Sequence, residues 1–439
     1  MAKGLSRRDF LRAGGGALVG AYALGLVGCG GEQGGSGSSN SLEFWAFDEG
    51  RADLARAALK TDAWKEAHGD VNVNFRIFPY EQMHDKLLTA LVSGKGAPDV
   101  ADVEISRFSN FIKGDDLPFV DLTDKIGSDI NDVYKPAATD PWTWQDKIYG
   151  VGNELNTCVL AYRKDFVDDA GIKTPFETWD DVVAAGQELS NNDRKMFALH
   201  DLAFGDHYML SQSAGTAYFD DNGEYIGDND KSVEAMQFLH DMVYDLDIAG
   251  IAPAVASDNW YPPQYRAAFK AEKFFALFGP PWHLSFLLTD VPAQSGKWTV
   301  QKLPSGLGDG LPTANFGGTG QCMTTQTGNE EASYDLIRIS NLTTEGVIAD
   351  FKARTAYPAY KPAYEDPALR EPQEYFGGQK IGQIYSDLAP GLPTFNQSPV
   401  WGQATEALNR EVITPVMQDQ EDAQSALAGL RETVESMKQ

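Results

Sequence analysis

The stretch "LEFWAFDEGRADLARAALKTDAWKEAHGDVNVNFRIF", residues 42–78, decides the predicted fold of this chain. Its first six residues are mainly apolar and predict a buried strand. Apolar residues then recur at helical spacing, and "VNVNFRIF", residues 71–78, alternates apolar with polar residues as a half-buried strand does. Because a helical segment separates the two strands, the stretch predicts a strand–helix–strand unit with parallel strands.

The same alternation of strand and helix continues after this unit. Residues 80–94, "YEQMHDKLLTALVSG", carry apolar residues at helical spacing and end at a glycine, and residues 97–106, "APDVADVEIS", predict another strand. Such alternation is typical of an α/β sheet with crossover helices, and these sheets bind ligands at the carboxyl ends of their strands. We therefore expect binding residues directly after the predicted strands.

The N-terminal segment predicts export and tethering rather than a folded core. "SRRDFL", residues 6–11, places twin arginines before a Gly-rich apolar segment that is short for a membrane span of roughly 20 residues. That segment ends in "LVGC" and resembles a bacterial lipobox, which implies cleavage before Cys29 and lipidation of its thiol. We therefore predict a twin-arginine lipoprotein signal peptide over residues 1–28 and a flexible Gly/Ser tether over residues 29–40.

The composition excludes several classes of function. The net charge of the 439 residues is −27. Loss of the signal peptide would move it to about −30, and so acidic a surface argues against nucleic-acid binding. The six histidines are scattered without metal-ligand spacing, so we expect neither a metal nor a cofactor. About 400 residues exceed the usual size of one core, which predicts two domains.

Four further stretches carry a resemblance to a known family. They are "LLTALVSGKGAPDVADVEISRF" (87–108), "DKIYGVGNELNTCVLAYRKDFVDDAGIKTPFETWDDV" (146–182), "FKAEKFFALFGPPWHLS" (269–285) and "GGTGQCMTT…SYDLIRISNLTTEGV" (317–347). In this order they resemble the family 1 extracellular solute-binding proteins of ABC importers, the maltose-binding-protein-like group, over nearly all of residues 41–439. The second stretch departs from the family pattern, because Val151-Gly152-Asn153-Glu154 replaces the usual Gly-Leu-Pro. The ligand class therefore stays open.

The resemblance implies an α/β, two-lobed periplasmic-binding-protein fold of type II. Each lobe is expected to be a mostly parallel sheet flanked by helices, with three hinge crossings between the lobes. One lobe would comprise 41–156 plus 322–365, and the other 157–321 plus 366–439. The implied function is non-catalytic: a monomer on the outer face of the cytoplasmic membrane binds a sugar or oligosaccharide between its lobes and delivers it to an ABC permease.

The resemblance also selects candidate binding residues. In the family, the aromatic residue after Gly-Pro stacks on a sugar. The corresponding residue of this chain is Trp282 in "FGPPW". A pyranose has apolar C–H faces and polar edges, so an aromatic plane suits its face and carboxylates or amides suit its hydroxyls. The ligand-binding candidates, at strand ends and inter-lobe corners, are Phe47, Asp48, Glu49, Glu104, Arg107, Asn153, Glu154, Asp206, Trp260, Tyr261, Trp282, Gly318, Thr319, Arg354, Tyr357 and Trp401.

Two alternative functions remain open from the sequence. The same fold would bind a cationic solute, a polyamine or a betaine, if the acidic, Trp-rich cleft used cation–π contacts. An exported glycosidase would instead need two carboxylates at roughly 5 Å or wider, and no motif marks such a pair.

Besides Cys29, the predicted lipidation site, the chain has two cysteines, Cys158 and Cys322. The resemblance places them on two crossings that run side by side in the family. A Cys158–Cys322 disulfide and a pair of buried free thiols are therefore both open, since paired strands can supply the Cα spacing that a disulfide needs.

Overall fold

The computed structural model describes residues 40–114, 116–253, 260–354 and 356–438. The predicted signal peptide, Cys29 and nearly all of the predicted tether lie outside these ranges. Within them, no helix combines the length and the apolar character that crossing a membrane would require.

The strands are short and lie between residues 41 and 323. They are β1 Ser41–Ala46, β2 Asn72–Ile77, β3 Val100–Glu104, β4 Thr143–Trp144, β5 Lys147–Ile148, β6 Gly150–Gly152, β7 Val159–Arg163, β8 Phe197–Leu199, β9 Ala249–Ile251, β10 Ala276–Gly279, β11 Trp298–Gln301 and β12 Thr319–Met323.

The helices lie between these strands and, from α12 onward, after the last of them. They are α1 Glu49–Ala58, α2 Asp62–His68, α3 Tyr80–Val92, α4 Thr123–Ile126, α5 Lys135–Ala138, α6 Lys164–Asp169, α7 Trp179–Leu189, α8 Gly205–Ser213, α9 Asp230–Tyr244, α10 Pro263–Lys270, α11 Pro281–Asp290, α12 Glu330–Asn341, α13 Thr344–Arg354, α14 Ile381–Leu388, α15 Trp401–Leu408, α16 Thr414–Met417 and α17 Ala423–Met437.

The first sheet has the strand order β2-β1-β3-β12-β6. Strand β1 pairs in parallel with both β2 and β3, as the strand–helix–strand pattern predicts. Strand β12 pairs antiparallel with β3 and with β6. The prediction of a mostly parallel sheet thus holds only for the first three strands. The reason is that β6 carries the chain out of this sheet and β12 carries it back in the opposite direction.

The second sheet has the order β10-β7-β11, and both of its pairings are antiparallel. A separate parallel pair, β8 with β9, lies in the same part of the chain. The expected parallel sheet is therefore replaced by an antiparallel one. Strand β7 is the central strand of this sheet, and both β10 and β11 run antiparallel to it.

Side-chain caps explain where several helices begin. The carboxylate of Asp48 accepts from the backbone N–H of Arg51 at 2.8 Å and starts α1 directly after β1. Thr178 and Asp181 form a capping box at the start of α7, where each side chain accepts from the other residue's backbone N–H. The first of these caps sets α1 at the carboxyl end of β1, next to the site described below.

One tryptophan packs where β6 and β12 pair. Trp142 has no exposed surface, and its indole N–H donates to the Val103 carbonyl at 2.9 Å. A Cβ at Gly152 would lie 2.7 Å from the Trp142 ring and one at Gly320 would lie 2.5 Å from it. The glycines therefore let the backbone approach the indole closely, since any side chain would clash.

The disulfide is not formed, because Cys158 and Cys322 are free thiols and both are buried. The backbone N–H of Cys158 donates to the Ala314 carbonyl at 2.9 Å, whereas Cys322 lies opposite Ala101 and Gly150 in the first sheet. The two residues thus have different strand neighbours. Burial raises the pKa of both thiols, which keeps them protonated.

Candidate ligand-binding cleft

A cleft of about 470 Å³ opens at the carboxyl ends of β1 and β3. Two sides of different chemistry face it. The polar wall consists of Asp48, Arg51, Tyr80, Glu81, Glu104, Arg107 and Glu154. The aromatic wall consists of Phe204, Tyr208, Trp260, Trp282, Phe316, Phe395 and Trp401.

Glu104 sits at the end of β3 and is held by neighbours of the polar wall. Its carboxylate accepts from the Tyr80 hydroxyl at 3.0 Å and from the Ser106 backbone N–H at 2.9 Å, and the Ser106 hydroxyl also donates to it. Burial raises the pKa of Glu104 above its ordinary value, and these hydrogen bonds oppose that rise. The carboxyl group is therefore fixed in orientation before any ligand arrives.

His84 ties the start of α3 to the end of β3 beneath this wall. The Glu104 backbone N–H donates to Nε2 at 3.2 Å, so Nδ1 carries the proton and donates to the Tyr80 carbonyl at 2.9 Å. The imidazole also contacts Phe47, with ring centroids 5.5 Å apart. Burial lowers the pKa of His84 to about 4, so the ring is neutral near pH 7.

Arg51 and Glu154, both in the polar wall, form an ion pair. The Nη1 of Arg51 donates to Oε1 of Glu154 at 2.9 Å, and only 4% of the Arg51 surface is exposed. A second pair, Arg107 with Glu81, lies at the more exposed edge of the polar wall. The two arginines of this wall are thus both paired with carboxylates.

Trp282 presents the partly exposed ring of the aromatic wall that the sequence singled out. It is the second residue of α11, which begins at Pro281, so that only Pro280 separates the helix from the end of β10 at Gly279. Its Nε1 donates to the Phe316 carbonyl at 3.1 Å, and a Cβ at Gly317 would lie 3.0 Å from the indole. The hydrogen bond and the close glycine hold the ring in one orientation.

The rest of the aromatic wall continues from this ring. The ring of Phe316 lies 5.7 Å from that of Trp282 and 6.1 Å from that of Tyr208, which in turn lies 5.6 Å from Trp401. Trp401 is only 1% exposed, so it packs mainly within the wall. The ring of Trp260 lies 6.3 Å from that of Trp282 in an edge-on arrangement. Such a row of rings offers several stacking surfaces.

The structure brings most of the predicted binding residues into the cleft lining. Those residues are Phe47, Asp48, Glu104, Arg107, Glu154, Trp260, Trp282, Gly318, Thr319 and Trp401. Most of them lie at the end of a strand or begin a helix next to the cleft, whereas Gly318 and Thr319 lie at the start of β12.

Five predicted residues lie outside the lining. Glu49 is exposed and pairs with Arg56 on the outer side of α1, while Tyr357 packs on Tyr385 with ring centroids 4.7 Å apart. Tyr261 packs against the ring of His283, behind the aromatic wall.

The remaining two of these five are buried and already bonded. Asn153 lies behind the cleft, where it accepts from Arg51 at 3.1 Å and donates to Asp350 at 3.1 Å. Asp206 accepts from the imidazole of His200 at 2.9 Å. The side chain of Arg354 is not among those that the structure describes.

Several lining residues were missed by sequence reasoning. Arg51 follows Asp48 by one helical turn, and Tyr80 begins the helix after β2, so both positions had a local signal. Tyr208, Phe316 and Phe395 had none, since single aromatic residues in apolar stretches are usually core.

No group of three or more His, Cys, Asp or Glu side chains within the described ranges is arranged to hold a metal ion. The cleft therefore offers a ligand aromatic faces, paired charges and backbone groups. This combination suits binding of a polar solute with apolar faces.

Comparison with known proteins agrees with this geometry. The family described as bacterial extracellular solute-binding protein matches residues 50–339, which is more than half of the chain. The arabinooligosaccharide-binding protein of Halalkalibacterium halodurans is 27% identical over 408 residues, covering 91% of this chain and 89% of that protein.

Solved structures share the fold at low identity. The sugar-binding protein MalE from Xanthomonas citri has a TM-score of 0.74 at 17% identity, covering 90% of this chain and 96% of that one. The binding protein of B. animalis subsp. lactis, in complex with β-1,6-galactobiose, has a TM-score of 0.71 at 21% identity over 90% of this chain and 96% of its own. This chain thus has the two-lobed fold of these proteins and belongs to the bacterial extracellular solute-binding protein family.

Proposed function

We propose that the chain is the receptor of an ABC importer and binds an oligosaccharide in the cleft between the polar and aromatic walls. The observation that carries this proposal is the opposition of the two walls. Fixed indole and phenyl rings suit the C–H faces of successive sugar units, while Glu104, Glu154 and Arg107 suit their hydroxyls. A cleft of about 470 Å³ has the size of sites that enclose a small ligand.

The pairing of charges favours a neutral ligand over a cationic one. Glu154 already has Arg51 as a partner and Glu81 has Arg107, while Glu104 accepts three hydrogen bonds from Tyr80 and Ser106. A polyamine or betaine would have to compete with these internal donors. The relatives support the same choice, since their names state that they bind arabinooligosaccharides or lactose.

We further propose where this receptor is located and how it delivers the sugar. The twin-arginine signal would direct export of the chain, and the lipid on Cys29 would hold a monomeric receptor at the outer face of the cytoplasmic membrane. The lobes, 41–156 plus 322–365 and 157–321 plus 366–439, would close around the sugar and present it to the permease. In this scheme β12 begins shortly before the boundary at residue 322.

A titration panel tests the proposal. The purified mature chain is titrated calorimetrically with arabinotriose, lactose and β-1,6-galactobiose, and in parallel with spermidine and glycine betaine. We expect saturable binding of at least one sugar, and the sugar to be recovered intact. Binding of spermidine or betaine alone would refute the sugar proposal. Release of shorter sugars would instead identify a glycosidase.

A further inference from the structure

Arg51 is a buried cation in the polar wall of the cleft. It is the third residue of α1, and its guanidinium reaches three groups on two distant segments. Nη1 donates to Oε1 of Glu154 at 2.9 Å, and Nη2 donates to Oδ1 of Asn153 at 3.1 Å and to the Thr319 carbonyl at 3.2 Å. The Nε of Arg51 lies 4.0 Å from Asp102.

The contacted segments are the two that connect the sheets near the cleft. Asn153 and Glu154 directly follow β6, on the way to the second sheet, and Thr319 begins β12, where the chain returns. A single planar group therefore joins the outgoing and the returning chain to the start of α1. Arginine suits this role because its five donors lie in a fixed fork, whereas lysine offers one point of charge.

The ion pair also fixes the position of the Glu154 carboxylate. Only 13% of the Glu154 side chain is exposed, so its negative charge needs a partner, and Arg51 supplies it from below. Glu154 is also one of the residues that line the cleft. We infer that Arg51 is a positioning residue, which holds the Glu154 carboxylate oriented to accept from a sugar hydroxyl and fixes it relative to both connecting segments. This inference rests on the proposed sugar-binding function.

The chain provides a matched control on the same helix. Arg56 also pairs with two carboxylates, Glu49 and Asp53, each at 2.9 Å, but on the outer face of α1. The sugar that binds tightest in the panel is titrated into the wild type, Arg51→Met, Arg51→Lys and Arg56→Met. We expect Arg51→Met to weaken binding by about tenfold or more, Arg51→Lys to recover part of the loss, and Arg56→Met to match the wild type.

A double-substitution cycle separates positioning from general destabilisation. If Arg51 acts through Glu154, then Glu154→Gln also weakens binding, and the Arg51→Met, Glu154→Gln double variant binds about as weakly as the worse single variant. Additive losses would overturn the inference, as would an unchanged Kd in a folded Arg51→Met protein. If Arg51→Met does not fold, Arg51→Lys and Glu154→Gln take its place, and unchanged binding in both would overturn it. A wild type that binds none of the panel sugars would refute the proposed function, and this inference with it.

Discussion

Replacement of Trp282 by alanine removes a ring that the structure holds in one orientation. The indole has a partly exposed face in the cleft, and its opposite edge is fixed by the hydrogen bond from Nε1 to the Phe316 carbonyl. The substitution therefore removes one stacking surface while β10 and α11 stay intact. Water from the cleft can then hydrogen-bond to the Phe316 carbonyl, which should limit the cost of losing the Trp282 donor.

The expected magnitude follows from that single surface. Stacking of a ligand ring on an aromatic side chain is worth about 1–3 kcal/mol, which corresponds to an increase in Kd of roughly 5- to 150-fold. Trp282→Phe keeps an aromatic face but loses the Nε1 donor, so we expect a smaller increase. The ring of Phe316, 5.7 Å away, remains in the aromatic wall in both variants.

Calorimetric titration with the tightest-binding sugar gives Kd, and thermal unfolding followed by circular dichroism confirms the fold. Trp144→Ala is the matched control, because Trp144 is also partly buried but does not line the cleft. It should lower stability without changing Kd. A folded Trp282→Ala protein with the Kd of the wild type would refute the reasoning and assign the indole to packing alone.

Four further predictions follow from features described above. Between pH 6.5 and about 4 the unfolded chain binds a proton at His84 that the folded chain does not. Stability therefore falls as pH falls through this window, and His84→Gln should reduce the slope by about 1.4 kcal/mol per pH unit; an unchanged slope in urea titrations would contradict this. Thr178→Ala should cost about 1 kcal/mol through loss of the capping box, and an unchanged urea midpoint would count against it. Gly320→Ala should cost about 1–3 kcal/mol because its Cβ meets the Trp142 ring, whereas Gly429→Ala, with open space around it, should be neutral or stabilising; equal effects in thermal unfolding would refute the packing argument. Small-angle scattering should show compaction when the bound sugar saturates the chain, and unchanged dimensions would argue against lobe closure.

The sequence predicted best what depends on local periodicity and strand ends. Strands β1 to β3 and helix α3 follow the apolar pattern of residues 42–106, because each element buries one face whose spacing is visible in the chain. Glu104 was predicted in the cleft for the same reason, because it ends strand β3.

The missed features depend on contacts between distant residues. Arg51 meets Glu154 and Thr319 only because β12 inserts beside β3, and no local pattern records that insertion. Asp206 was expected in the cleft, but its carboxylate is buried and bonded to His200. Cys158 and Cys322 illustrate the same limit. The sequence predicted that their segments are adjacent, but the strand register determines which positions face each other, and adjacency alone does not fix the register.

The position of β12 has a consequence for how the chain is made. This strand separates β3 from β6 in the first sheet, although it follows β6 by more than 150 residues in the chain. During synthesis the sheet therefore stays incomplete until Met323 has left the ribosome, and the edges of β3 and β6 remain unpaired until then. Exposed strand edges invite wrong pairing, and pairings between distant segments form slowly. We expect nascent chains that end before β12 to depend on chaperones more than the finished protein does.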